Sequence, residues 1–404
     1  DNPAAPEGVA EQTKQEIAKV TPPSYSVSGQ AKAEETGGVG LIVKTVLAIL
    51  AAGGILAAAV LHPYIGRRLV IMVPTLVVIS VVVFSIIQLP PGDYLENRIL
   101  MLQMSGDEAE IAEAEGLRKV FHLDKPMVER YARWMGLYWF GTFDQGDEGL
   151  LQGNLGRRME DGKSVNDIIG DRILLTFLMS LGTILFTWAV AIPIGIYSAV
   201  KQYSAGDYVL TFIGFIGMCI PPFLLALLVM YAGRAWFGLA FSGLFSPRYA
   251  AQEAWTWGKF TNLLSHLWVP VVVLGVGGTA GMIRVMRGNL LDELKKPYVT
   301  TARAKGVRPM KLLFKYPVRL ALNPFISGIG ALFPMLVSGG AIVAMVLSLP
   351  TVGPLMLQAL QLEDMYLAGS MLMVLSLLGV IGTLVSDLLL LWLDPRIRFQ
   401  GGGR

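Results

Sequence analysis

The sequence predicts an all-α protein built into a membrane, and three observations carry that prediction. Of 404 residues, 53% are hydrophobic and only 16% charged, whereas about a quarter of an ordinary soluble domain is charged. The mean hydropathy is +0.56. The apolar residues also gather into runs near the roughly 20 residues that a helix needs to cross a bilayer. These runs exceed the roughly 10 residues of a barrel strand, and backbone in lipid must satisfy its own hydrogen bonds, so the spans are helices. A water-soluble enzyme, a nucleic-acid binder and a disordered scaffold are excluded. The single cysteine, Cys219, excludes intrachain disulfides and cysteine-based metal sites.

Residues 1–40 hold six Asp/Glu against three Lys, with many Pro, Gly and Ala and no apolar periodicity. They read as a flexible acidic tail, and the lack of a basic start before an apolar core argues against an intact signal peptide. The run 45–61, within 41–62, has 17 residues and reads as an extra N-terminal membrane helix, although its Gly53-Gly54 pair also suits an interfacial segment. Six longer runs follow at 69–89, 173–199, 209–240, 268–290, 325–349 and 367–392. The first lies in a span over 66–90, the other five in a core over 173–399, and 400–404 is a short tail.

Charge placement orients the spans. The stretch 284–319 holds ten Lys/Arg against Asp292 and Glu293, which puts it in the cytoplasm together with the C-terminal DPRIRF. Alternation then puts Arg67-Arg68 inside and 91–172 outside. The outer stretch from 90 to 172 is net acidic, 16 Asp/Glu to 10 Lys/Arg. Apolar residues at three- and four-residue intervals around HLDKPMVERYARWM predict helices there, a folded extracytoplasmic cap. If 45–61 crosses, the N-terminus is extracytoplasmic too. Trp255, Trp257 and Trp268 suit a membrane interface better than a ligand-stacking site.

Chemistry is sparse. His62, His122 and His266 sit in no cluster with metal-ligand spacing, so no metal site is expected. GRRMEDGKS, Gly156 to Ser164, has five residues between its glycines where a phosphate-binding loop has four, and it is set aside. Ionisable residues near the spans are Arg234, Arg284, Arg287 and Asp387. Midplane carboxylates of an ion-coupled carrier are missing, and no nucleophile and base converge as an intramembrane enzyme requires. Asp387 is expected to be a structural partner for a basic residue at the inner boundary, such as Arg284. Pro193, Pro221, Pro222, Pro334 and the stretch containing Gly277 and Gly278 interrupt helices; they suit a gate, or ordinary close packing.

The informative segment is 290–324. Pro297 can start a helix, Tyr298 to Lys305 can form a short one, Gly306 can stop it, and Met310 begins another. The result is a protruding knob suited to a groove on another protein, or a basic surface for anionic lipid.

This segment resembles the coupling (EAA) loop of ABC importer permeases. The family's Glu-Ala-Ala, three residues and Gly stand here as Thr300-Thr301-Ala302, Arg303-Ala304-Lys305 and Gly306. YVTTARAKG is most similar to the dipeptide/oligopeptide branch. Ordered matches run from GRRLVIMVPTLVVIS through HLDKPMVERYARWM and GNLGRR to DLLLLWLDPRIRF. Thr300 replaces the family's Glu, LPPGDYLEN stands for its LPGDP, and Ala344 falls where an acidic residue is usual.

The resemblance implies a six-helix permease core in the inner membrane, carrying short peptides or, in relatives, oligosaccharides, opines or nickel chelates. It implies a second permease subunit as a heterodimer, two ATPase subunits holding ATP and Mg, a solute-binding protein, surrounding lipid, no nucleic acid, and neither cofactor nor catalytic site in this chain. Residues 298–306 would couple ATP hydrolysis to transport.

Overall fold

The computed structural model describes residues 63–90, 92–106, 108–238, 242–250, 252 and 256–393. The acidic tail, the run 45–61, His62, Trp255 and the chain from Asp394 onward lie outside the described residues. The chain divides into two units at Arg67 and Arg68. Of the first, only the opening turn of a helix, from Pro63, is described; the rest of this section concerns the second.

Helix α1 (Pro63–Ile87) leads into a cap made of α2 (Tyr94–Ser105), α3 (Glu108–Val120), α4 (Met127–Met135) and α5 (Trp139–Thr142). The membrane part resumes with α6 (Val165–Val200), α7 (Ala205–Cys219), α8 (Pro222–Phe237), α9 (Pro247–Ala250) and α10 (Trp257–Leu294). Four short helices, α11 (Pro297–Ala304), α12 (Pro309–Lys315), α13 (Pro317–Ala321) and α14 (Asn323–Ser327), lead to α15 (Ile329–Val346), α16 (Val352–Gln361) and α17 (Met365–Leu393).

Among the described residues four helices, α1, α6, α10 and α17, are long and apolar enough to cross a membrane, and counting each of two bent pairs as one span gives six. The run 209–240 is not one straight helix. Ile220 adopts φ −88°, ψ 119°, as a residue before proline prefers, and the two prolines that follow cannot donate to the preceding turn. Helices α7 and α8 therefore meet at 96°, each too short to cross about 30 Å of hydrocarbon alone. A second bend of 67° separates Pro309–Leu332 from Val337–Val346, with Pro334 in the break. Helix α6 starts at Val165, eight residues ahead of the apolar run at 173–199, so the helix extends beyond the run at its N-terminal end.

The bundle is held by close helix approach and by apolar layers. A Cβ on Gly195 of α6 would lie 2.5 Å from the Met286 Cβ of α10, and one on Gly382 of α17 would lie 3.0 Å from the Gly330 Cα of α15. Only glycine allows these backbones to come so near. One layer joins Met179, Leu263, Val273 and Leu347; another joins Ile169, Val337, Leu355 and Met371. A third, with Met286, Leu290, Leu313, Val318 and Phe325, fastens the short helices to the ends of α6 and α10. Outward faces are apolar: Val70 is 72% exposed and Phe212 66%, as a lipid-contacting surface requires.

Candidate functional site

The short helix, glycine stop and second helix predicted from Pro297 onward are present. Pro297 occupies the first turn of α11, where its missing N–H costs nothing. Glu293, at the end of α10, accepts from Lys296 Nζ at 2.5 Å and from Tyr298 Oη at 2.6 Å, which ties the two helices across their junction. Val299 is 1% exposed, Ala302 half-buried, and Thr300, Thr301, Arg303, Ala304 and Lys305 exposed. One side of α11 is thus braced and the other is offered outward. Gly306 ends the helix with φ 74°. Its N–H donates to Arg303 O at 3.0 Å, and Val307 N–H donates to Ala302 O at 3.2 Å. Space around Gly306 is open, so the requirement for glycine there is conformational rather than steric. Pro309 starts α12, whose Leu312 and Leu313 are buried.

The predicted gate residues separate. A cavity of about 490 Å³ between α6, α7, α8, α10 and α15 is lined by Pro222, Gly277 and Gly278, with Thr187, Gly281 and Met335 among the others. Pro221 and Pro334 lie in the two bends and do not line it. Among the described residues its lining contains no ionisable side chain.

The inner-boundary charges pair differently from the sequence expectation. Asp387 on α17 lies 3.1 Å from Arg68 Nη1 on α1, and Arg284 is not its partner. Arg284 instead lies over the Phe215 ring of α7, 5.2 Å from the centroid, because its side of α10 faces α7. Arg287 donates to Asp207 Oδ2 at 3.2 Å. Asp207 escaped sequence reasoning because it sits two residues before the apolar run. The spacing Ser204-x-x-Asp207 is a helix-start signal, and Asp207 N–H does donate to Ser204 Oγ at 3.2 Å.

At the other end of the long helices the cap is fastened by groups that the sequence reading did not single out. Asp364, 1% exposed, accepts from Leu367 N–H at 3.0 Å and from Met159 N–H at 2.7 Å. Burial raises its carboxyl above the usual range against the lowering effect of those bonds. Its helix-start position before α17 is legible in sequence; its reach across 205 residues to Met159 is not. Ser370 Oγ donates to Leu155 O at 2.6 Å, and Tyr366 Oη to Phe121 O at 2.9 Å. The Ser80 and Tyr131 hydroxyls are 2.8 Å apart, and Trp134, Met135 and Phe84 pack together. The set-aside GRRMEDGKS stretch is a tight turn closed by an antiparallel bridge between Arg157 and Ser164. Arg158 hydrogen-bonds Asp161 and holds its carboxyl well below the usual range. Among the described residues no three His, Cys, Asp or Glu side chains are grouped to hold a metal ion.

Comparison with known proteins places this architecture. Residues 191–399 match the family model described as binding-protein-dependent transport system inner membrane component. The oligopeptide transport system permease protein AppB of Bacillus subtilis (strain 168) is 30% identical over 340 residues, covering 83% of this chain and 99% of the relative. The dipeptide transport system permease protein DppB of Escherichia coli (strain K12) is 28% identical over 354 residues, and the glutathione transport system permease protein GsiC of Pectobacterium atrosepticum is 28% identical over 337 residues. Both cover 83% of this chain and 99% of the relative. A helical bundle with four to six candidate spans, a braced helix-stop-helix segment at one end, a helical cap at the other and this breadth of similarity agree: the chain belongs to the binding-protein-dependent transport system inner membrane components, the permeases of ABC importers.

Proposed function

We propose that this chain is one of two permease subunits of an importer of short peptides, with 297–308 seated in a groove of a cytoplasmic ATPase subunit and the cap facing the peptide-loaded binding protein. The observation that carries the reading is α11: a short helix braced on Val299 and stopped by Gly306, with a solvent-facing side bearing Arg303 and Lys305. A bilayer-facing basic surface would need neither the brace nor the stop. The relatives' names support peptides as cargo. The bent pairs, α7 with α8 and Pro309–Leu332 with Val337–Val346, border the apolar cavity and would let the path open and close by rocking about Pro221, Pro222 and Pro334.

In this reading two ATPase subunits bind ATP and Mg, the second permease completes the path as a heterodimer, and this chain does no bond chemistry. The C-terminus is cytoplasmic. The N-terminus lies outside if 45–61 crosses, and a cysteine placed at Ser28 should then be labelled in intact cells. The main test is reconstitution of the full complex. ATP-dependent peptide uptake that requires the binding protein is the expected result, and uptake by this chain alone would overturn the proposal.

A further inference from the structure

A second cavity of about 360 Å³ lies between α7 and α10, lined by Asp207, Tyr208, Thr211, Phe215, Arg284 and Arg287 among others. The two follow the same pair of helices. On α7, Tyr208, Thr211 and Phe215 line the second cavity and Met218 lines the first, at spacings of three, four and three. On α10, Gly277 and Gly281 line the first and Arg284 the second, at spacings of four and three. Such spacings keep these side chains on one face of each helix, so the two cavities neighbour each other along α7 and α10. Each falls in the range of about 300–1,000 Å³ typical of small-ligand sites.

The two cavities differ chemically. Among the described residues the larger is lined by no ionisable side chain. The smaller carries two guanidinium groups and one carboxylate, and that carboxylate, Asp207, is committed to Arg287 at 3.2 Å. Arg284 is exposed, held against Phe215, and among the described residues has no carboxylate within ion-pair distance. Arg287 Nε is buried without a hydrogen-bond partner, a second donor left over on the same wall. One uncompensated positive charge beside an apolar cavity suits a ligand with an uncharged body and an anionic end. Guanidinium is also the side chain whose donor fork matches a carboxylate.

We infer that Arg284, steadied by Phe215 and backed by Arg287, is an anion station that receives the C-terminal carboxylate of a peptide on its way through the membrane. The inference rests on the peptide-importer reading above. It makes Arg284 a residue that discriminates cargo inside the permease, separately from selection by the binding protein.

The experiment uses the complete reconstituted complex and one tripeptide sequence in two forms, free acid and C-terminal amide. Arg284→Gln should lower the maximal uptake rate of the free acid about tenfold, the scale of one lost charge-assisted hydrogen bond, and leave that of the amide unchanged. The concentration for half-maximal uptake, governed by the binding protein, should not move. Arg284→Lys should restore most of the loss, and co-purification of the partner subunits with each variant checks that the complex assembles. Equal loss for acid and amide, or no loss for either, would overturn the inference. So would a loss for both forms that appears only in vesicles containing phosphatidylglycerol, which would assign Arg284 to a lipid phosphate. Failure of the wild-type complex to take up either form would instead remove the peptide reading itself.

Discussion

The cap and the segment 297–319 stand at opposite ends of the long helices and treat their charges in opposite ways. In the cap, Arg118 lies 3.5 Å from Asp93, Arg133 is held by Glu129 at 3.3 Å and Asp147 at 3.1 Å, and Arg158 and Lys163 share Asp161. These cations are paired within the cap itself, while Arg130 reaches out to Met365 Sδ at 2.9 Å. In the segment, Arg303, Lys305, Arg308 and Lys311 are exposed, and among the described residues none is within ion-pair distance of a carboxylate. Only Arg319 turns back, donating to Leu393 O at 2.6 Å and Trp392 O at 3.0 Å, where it closes the end of α17. The cap's ion pairs are satisfied by cap residues, while Asp364, Tyr366 and Ser370 at the start of α17 fasten it to the bundle. A region with an apolar brace on one side and surplus charge on the other is shaped for something it does not contain.

The largest expected effect tests whether the shape of the segment, rather than its charge, carries its role. At φ 74° a β-branched residue is strained by about 1–3 kcal/mol, so Gly306→Val should push the chain off the turn that aims α11. Because nothing crowds Gly306, the bundle should still assemble. ATP hydrolysis by the complex should continue while transport is lost, and coupled transport at the wild-type level would show that the stop is dispensable. Ala302→Asp, which would put a charge on the half-buried side of α11, should act in the same direction.

At the cap end the corresponding break is Asp364→Ala. It removes the acceptor of two buried N–H groups, Met159 and Leu367, at a cost of about 1–3 kcal/mol. Its effect should stay local: faster proteolysis within 92–164 and weaker retention of the binding protein, with ATP hydrolysis by the complex retained. If proteolysis is unchanged, the cap is held by its apolar contacts alone.

These two ends differ in how far the sequence disclosed them. Helix α11 was legible because everything that makes it is local: a proline start, eight residues and a glycine stop. The spans were legible because lipid demands long apolar helices of any sequence that crosses it. The bend between α7 and α8 was visible as Pro221-Pro222, but its 96° was not, since the angle is set by what the two half-helices pack against. Pairings were least legible. Asp387 could meet any cation at its level in the bilayer, and the choice of Arg68 over Arg284 depends on which helices are neighbours. The Asp364 contact to Met159 joins residues with no shared pattern.

Charge in the segment should count for less than shape. Lys305 and Arg308 are exposed, and an exposed ion pair with a partner is worth about 0–1 kcal/mol. Lys305→Gln combined with Arg308→Gln should therefore weaken assembly with the ATPase modestly, and more at low ionic strength than at high, because salt screens the wild-type contact. Loss of transport in this variant beside normal transport in Gly306→Val would reverse the ranking and make the segment a basic surface.

The smallest effect concerns pH and separates two carboxylates that both lie near Arg158. Asp364 has its folded pKa raised by burial, so in the window above the ordinary carboxylate value of about 3.9 the folded cap holds more protons than the unfolded one. Stability from this group is then greatest below that value and is lost as pH rises through the folded pKa. Asp161 has the opposite sign. Its pKa is lowered first by the hydrogen bond from Arg158, so its contribution is complete above about 3.9 and is lost as pH falls further. His122, whose ring is held below its usual pKa chiefly by burial, also opposes Asp364, because acid charges it more readily when unfolded. The informative quantity is therefore a difference. Resistance of the cap to protease, followed from pH 7 toward pH 4, should rise less, or fall more, in Asp364→Asn than in wild type, while Asp161→Asn should follow wild type in that window and depart from it only below about pH 4. Identical profiles for wild type and Asp364→Asn would show that Asp364 titrates alike in both states, and that its two hydrogen bonds offset its burial.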